Sequence, residues 1–376
     1  MKQQSSMNGE RIFNIAVVGL GKMGISHLSV ANRTPGLKVT AICDSSQLVA
    51  SMIEKYCRIP SHRNYDDLIR MPGLDAILIS TPTRMHEQMI RSALECDLHV
   101  FCEKPMTLSA AVSADLAGEA VRRGLVTQVG YHNRSVGTFR EAKRLIDAGA
   151  IGRLRHVHAE AYGPVVLKPS TKTWRSKANE GGGCLYDYAA HPANLMNWYA
   201  GDPAVCCGAQ LTSQWSASVD DAVYADLAFQ NGVSGQLSVN WADESARKMT
   251  TRITLAGDGG KIVADRQELQ LFLGTNGVVQ PGYPRGWTIK YITELTPHPS
   301  FYLRGEEYSD QLETFAAALA AGRSDPTADF ASAAVTDRTL EMIRAASENR
   351  PAEQLPQAAP VRQRRPNILS RVLGSA

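Results

Sequence analysis

The chain has 376 residues, 44% of them apolar and 20% charged, and a formal net charge of +3. That length supports a large core shared between domains, and so mild a charge gives no footprint for nucleic acid. No apolar run approaches the roughly 18 residues that cross a bilayer, the N-terminus has no apolar signal run, and seven cysteines without a Cys-x-x-Cys pair suit reduced thiols, not a zinc framework; the expected location is the cytoplasm.

Residues 12 to about 130 alternate strand and helix signals. An apolar strand over 12–18 runs into Gly19-Leu20-Gly21-Lys22-Met23-Gly24, and a helix follows near 23–33. Gly19 permits the tight turn, Gly21 lets a pyrophosphate approach the backbone, and Gly24 lets helix and strand pack closely. The free N–H groups at the helix start favour the phosphate charge. A second strand, 37–43, ends in Asp44, 20 residues after Gly24, where a carboxylate can hold an adenosine ribose. The continuous apolar run 75–80 reads as a buried parallel strand. Thr81-Pro82-Thr83 then opens a helix bearing Met85, Met89, Ile90, Ala93 and Leu94 at helical spacing. Strand 98–102, helix 109–123 and strand 125–129 complete a doubly wound parallel sheet with ligands at its carboxyl edge. Residues 1–130 are therefore read as a dinucleotide-binding Rossmann domain.

After Tyr131 the pattern changes. A helix near 136–148, an alternating strand over 153–163, a glycine-rich segment and a helix over about 186–199 lead into strand-like runs from 204 to about 296. Asn231-Gly232, Gly259-Gly260 and Asn276-Gly277 are hairpin signals. Residues 131–350 are read as a second α/β domain with a large, mostly antiparallel open sheet, closed by helices near 306–321 and 328–347. Its far face needs cover from helices or a second subunit. Residues 351–376, rich in Pro and Arg, read as a surface tail, or as a segment packing on a neighbouring subunit.

Two places carry chemistry. Glu103-Lys104-Pro105 follows strand 98–102, so Lys104 stands at the ligand edge of the sheet, where its ammonium can stabilise negative charge on a substrate oxygen. Pro105 narrows the conformations open to Lys104. Further on, Gly181-Gly182-Gly183 precedes a helix on which Asp187 and His191, four apart, share one face. Histidine titrates near neutrality and suits removal of a proton from an alcohol. The glycines allow close backbone approach to a ligand, and Pro192 points to a kink or boundary near His191. Trp174 could stack on a sugar face and Arg175 could bind an anionic group. Lys168 lies in the same loop. Tyr131 and Arg134 face either the cleft or the domain joint, and His86 either caps a first turn or serves the site.

Together these motifs resemble the Gfo/Idh/MocA oxidoreductases, the glucose–fructose oxidoreductase and inositol dehydrogenase group, over about residues 12–347. The likeness rests on Gly19 to Gly24 with His27, Thr81-Pro82 with His86, Glu103-Lys104-Pro105, Gly130-Tyr131 with Arg134, and the glycine run into Asp187 and His191. It implies a Rossmann domain that binds NAD, with NADP second, through Gly19, Leu20, Gly21, Lys22, Met23, Gly24, Asp44, Ser80, Thr81, Pro82, His86, Glu103 and Lys104. It implies that Lys104, Asp187 and His191 act at the reacting carbon, and that Tyr131, Arg134, Lys168, Trp174 and Arg175 are candidate contacts to a sugar, cyclitol or sugar derivative. No metal is implied, and a homodimer or homotetramer assembled through the open sheet is. The family often has glycine at Ala189 and an acid at Asn194, departures that bear on substrate identity. Two competing readings are a glycoside hydrolase or lyase that oxidises its substrate transiently on bound NAD, and a non-enzymatic dinucleotide-binding regulator.

Asp44 would repel a 2′-phosphate, and Ser45-Ser46-Gln47 after it offer no positive charge. NAD should therefore bind more tightly than NADP, and Asp44→Ala should weaken NAD and narrow the gap. Titration of both cofactors checks this; tighter NADP binding would contradict it.

Overall fold

The structure, a computed structural model, describes residues 11–169, 173–296, 301–303 and 305–349. The first ten residues and the Pro/Arg-rich segment 351–376 lie outside the described residues, as does the reading of that segment as a tail or subunit contact.

In the first half, strands and helices alternate as β1 (Phe13–Val18), α1 (Lys22–Ala31), β2 (Leu37–Cys43), α2 (Gln47–Cys57), β3 (Ser61–His62), α3 (Tyr65–Ile69), β4 (Ala76–Ile79), α4 (His86–Glu95), β5 (His99–Cys102), α5 (Ala110–Arg122) and β6 (Thr127–Val129). The six strands are parallel, in the order β3-β2-β1-β4-β5-β6. Both faces are covered, which is why β4 is buried at all four positions and reads as a continuous apolar run. The strand order reverses between β1 and β4, opening a crevice at their carboxyl ends. There Ser80 N–H donates to the Val18 carbonyl at 2.8 Å and ties the two strand ends together. The helix expected from Thr83 begins at His86, after a single 3₁₀ turn over Thr83–Met85.

The second half comprises α6 (Gly137–Asp147), β7 (Leu154–Tyr162), α7 (Ala190–Ala200), β8 (Pro203–Thr212), β9 (Ala222–Phe229), β10 (Ser234–Asn240), β11 (Arg252–Gly257), β12 (Gly260–Asp265), β13 (Glu268–Leu273), β14 (Gly286–Tyr291), α8 (Ile292–Leu295), α9 (Glu306–Ala321) and α10 (Phe330–Glu348). Eight strands form one sheet, ordered β14-β13-β12-β11-β7-β10-β9-β8. All neighbours are antiparallel except β7 and β10, whose parallel pairing follows from the long crossover through α7, β8 and β9. Asn231-Gly232 turns β9 into β10, with Gly232 at φ +83°. One face of the sheet is core, with Leu269, Leu271 and Leu273 of β13 buried against it. On the other face Phe272 packs beside Trp287, ring centroids 5.3 Å apart, and Ile289 and Tyr291 are exposed in line with them.

The last two long helices return to the first sheet. Leu312, Phe315 and Leu319 of α9 join Ile15, Val17, Leu78 and Phe101 in one cluster, and α10 packs along α5 on the opposite side. Asp337 of α10 is buried and accepts hydrogen bonds from Thr107 N–H at 3.1 Å and Ser113 Oγ at 2.6 Å. It thus holds the chain just after Lys104-Pro105. Burial outweighs these hydrogen bonds and pushes the Asp337 carboxyl up to about 7 from 3.8. The fold therefore favours the protonated acid. Its contribution to stability is full below about pH 4 and is lost as pH rises through about 7. The melting temperature of Asp337→Asn, compared with wild type across this range, should gain relative stability toward high pH; parallel pH profiles would contradict the assignment.

Candidate active site

The glycines of the first turn do different work. Gly19, at φ +83°, lies so close to the Ser80–Thr81 backbone that a Cβ would sit 2.8 Å from the Ser80 carbonyl. Gly24 packs directly on the Gly19 carbonyl, with no room for a methyl group. Gly21 is free: a Cβ there would meet nothing within 4 Å. Open space therefore adjoins the first turn of α1, begun by Lys22 and Met23, whose N–H groups have no partner inside the helix. Asp44 braces the turn from the end of β2, accepting from Leu20 N–H at 2.5 Å and Ser46 N–H at 2.6 Å. A bare glycine, free helix N–H groups and an adjacent carboxylate fit the phosphates and ribose of a dinucleotide.

Several residues assigned above to the cofactor are engaged with the protein. Ser80 Oγ donates to the Gly19 carbonyl at 2.9 Å and so pins the glycine turn. Thr81 Oγ1 lies 3.4 Å from Met89 Sδ, and Pro82 precedes the Thr83–Met85 turn. The buried His86 ring lies between the carbonyls of Thr81 and Pro105, at 2.9 and 3.0 Å, which joins the loop after β4 to the loop after β5. Glu103 Oε1 lies 2.6 Å from Nε2 of the buried His27, and Oε2 accepts from the Lys104 N–H at 3.2 Å. Burial pushes the Glu103 carboxyl up, but the His27 hydrogen bond and the Lys104 charge outweigh it and hold the group below its ordinary value. Glu103 thus clamps the lysine loop to α1.

Lys104 crosses to the second half of the chain. Its Nζ donates to the Asp187 backbone carbonyl at 2.7 Å and to Asp187 Oδ1 at 3.0 Å. The other carboxylate oxygen, Oδ2, accepts from Arg175 Nε at 2.7 Å. Burial pushes the Asp187 carboxyl up, yet Lys104 and Arg175 together more than reverse this and keep it ionised. Asp187 makes no hydrogen bond to His191, although the two are four apart: His191 Nδ1 is buried with no hydrogen-bond partner among the described residues. His191 is pushed well below its ordinary pKa by burial, with the charges of Lys104 and Arg266 adding to it, so its imidazole is neutral at pH 7.

The helix bearing these residues is not uniform. Leu185–Ala189 forms a π turn and α7 starts at Ala190. Pro192 follows directly on the π turn, from which α7 continues without a break. It has no N–H to return toward Asp187, and the carbonyl of Asp187 accepts the Lys104 ammonium instead. The glycine run serves the protein itself. Gly182 packs on the carbonyls of Trp174 and Arg175, and a Cβ on Gly183, at φ +105°, would sit 2.5 Å from Asp220 Oδ1. Asp220 Oδ2 in turn accepts from Leu185 N–H at 2.6 Å and fixes the start of the π turn.

Other candidates are distributed as follows. Trp174 is half-buried beneath the Arg175 guanidinium, 4.8 Å from its ring, so both belong to the Asp187 cluster. Tyr131 is buried edge-on to His191, ring centroids 6.2 Å apart. Lys168 is exposed. Arg134 is in the joint: its Nε donates to Asn194 Oδ1 at 2.6 Å and its guanidinium to Ser332 Oγ at 2.8 Å. Asn194 Nδ2 bonds Thr336 Oγ1 at 2.9 Å. Of the two places open to Arg134, the cleft and the domain joint, it takes the joint, where it and Asn194 satisfy one another between α7 and α10. His132, which the sequence reading passed over, packs on His191 with ring centroids 4.6 Å apart. Its position immediately after Tyr131 was the available signal.

The chain belongs to the Gfo/Idh/MocA oxidoreductase family. Residues 13–131 match the model of the oxidoreductase family with an NAD-binding Rossmann fold, and residues 139–263 match the GFO/IDH/MocA C-terminal domain. It is thus an NAD-binding oxidoreductase. Among its relatives are the uncharacterised oxidoreductase YrbE of Bacillus subtilis, 26% identical over 82% of this chain and 87% of that protein, and scyllo-inositol 2-dehydrogenase (NAD(+)) of the same organism, 30% identical over 50% of this chain and 53% of that one. Levoglucosan dehydrogenase in complex with NADH and levoglucosan shares the fold, with a TM-score of 0.80 at 22% identity over 90% of this chain and 97% of that one.

Proposed function

We propose that the chain transfers hydride between NAD and a secondary carbinol or keto carbon of a sugar, cyclitol or sugar derivative, with the division near residue 130 separating cofactor and substrate sites. The observation that carries this is the donor count at Lys104. An ammonium has three donors, and Asp187 takes two of them. The third remains for a substrate oxygen, at the carboxyl edge of the sheet where the nicotinamide belongs. Bound NAD supplies the hydride acceptor. Neutral His191 takes the hydroxyl proton as carbon loses hydride, and Lys104 stabilises the alkoxide-like oxygen. Asp187, kept ionised, retains acceptor sites for a neighbouring hydroxyl, which suits a polyol. Inositol- and levoglucosan-acting relatives support this substrate class.

Lys104→Ala and His191→Ala should still bind NAD, because the glycine turn and Asp44 lie elsewhere. Turnover on a polyol panel should fall by ~10²–10⁴ for the base and ~10²–10³ for the charge-stabilising donor, without the two losses multiplying. Lys104→Arg should not restore the rate, since a planar guanidinium places its donors differently. Normal turnover in His191→Ala with NAD affinity intact would overturn its assignment as base.

We also propose a homo-oligomer, a dimer or tetramer, that covers the outer face of β13 and β14. Trp287 is 59% exposed there, beside Phe272, Ile289 and Tyr291, an apolar group of the kind that marks contact surfaces. Trp287→Asp should lower the mass measured by light scattering; a wild-type monomer at micromolar concentration would contradict the proposal.

A further inference from the structure

We propose that His132 is the positioning residue that holds His191 in its working orientation and keeps water from its ring. A catalytic imidazole is usually fixed by a hydrogen bond at one nitrogen. His191 lacks that device: Nδ1 is buried without a partner among the described residues, and the Asp187 carboxylate is engaged with Lys104 and Arg175. Its ring is confined by other rings. His132 meets it at 4.6 Å and 61°, and Tyr131 meets it at 6.2 Å and 87°.

His132 is itself fixed from behind. Tyr308 of α9 stacks on it at 5.0 Å and 27°. Tyr308 follows Glu307, which pairs with Arg266 of the β12–β13 turn. Two and three turns of α9 further along, Phe315 and Leu319 are anchored in the core of the first sheet. The order α9, Tyr308, His132, His191 therefore passes the position of a core helix to the imidazole. The groups facing the pair are Lys104 from the loop after β5, Tyr131, Tyr308 of α9 and Arg266, with Glu103 and His27 of α1 toward His132. Burial and the Arg266 charge hold His132 down to about 3. It is a neutral plate, not a second base.

This inference rests on His191 as the proton acceptor, but its test needs no turnover. The full-length chain with isotope-labelled histidine rings is titrated by NMR, with and without NAD, and the His191 resonance is assigned by its loss in His191→Gln. Wild type and His132→Phe should show one neutral His191 tautomer throughout the pH range in which the chain stays folded. In His132→Ala, and in His132→Gln should the alanine variant fail to fold, the His191 titration should move up by about one unit or more toward the ordinary value near ~6.5. An unchanged His191 in these variants would overturn the proposal, as would a His132→Phe ring that behaves like His132→Ala. Failure of the base assignment is a separate result, read from turnover in His191→Ala.

Discussion

Lys104 and Asp187 are a buried pair contributed by the two halves of the chain, and the site depends on their meeting. The side chains of Lys104 and Asp187 are 12% and 10% exposed, so each charge has left water: Lys104 finds its compensation in Asp187, and Asp187 finds its own in Lys104 and Arg175. Removing one partner of such a pair typically costs about 3–5 kcal/mol, because the other remains buried and uncompensated. That penalty makes the pair a constraint on geometry. The first sheet must deliver the ammonium, and the π turn must deliver a carboxylate and a carbonyl, within one hydrogen-bond length of each other.

Much of the surrounding structure serves this alignment. On the lysine side, Glu103 clamps the loop to His27 of α1, His86 bridges it to the loop after β4, and Asp337 of α10 fixes the residues that follow. On the aspartate side, Asp220 fixes the start of the π turn and Arg175 holds the second carboxylate oxygen. Between the halves, α9 and α10 return from the second sheet to the first and share its core. Both ends of the ion pair are thus braced by neighbouring protein groups.

The parts of this arrangement legible in the sequence were those whose physics is local. The alternation of strands and helices, the duties of Gly19 and Gly24, and the hairpin at Asn231-Gly232 follow from periodicity and backbone sterics within a few residues. Lys104, Asp187 and His191 could be singled out because a strand end and a helix face fix where they stand. The assignments that shifted depended on contacts far apart in the chain. Arg134 was left between the cleft and the domain joint because its partners, Asn194 and Ser332, lie 60 and 198 residues away. Gly181 to Gly183 read as room for a ligand because the Arg175 carbonyl and Asp220 that fill that room are not neighbours in sequence. Pro192 read as a kink or boundary, and the lysine that takes the Asp187 carbonyl it leaves free comes from the other half of the chain. His132 had only its place beside Tyr131 to mark it, and the fold brings its ring to His191, 59 residues on.

The central claim is that carbon-bound hydrogen passes directly between a polyol and the nicotinamide at the Lys104–Asp187–His191 cluster. The most direct test incubates the full chain with NAD and a panel of cyclitols and anhydrosugars deuterated at their carbinol carbons, and follows the label by mass spectrometry. The account predicts deuterium in the nicotinamide ring, with the ketone as co-product. Deuterium released only to water, or substrate consumed with no label ever reaching the nicotinamide, would contradict it.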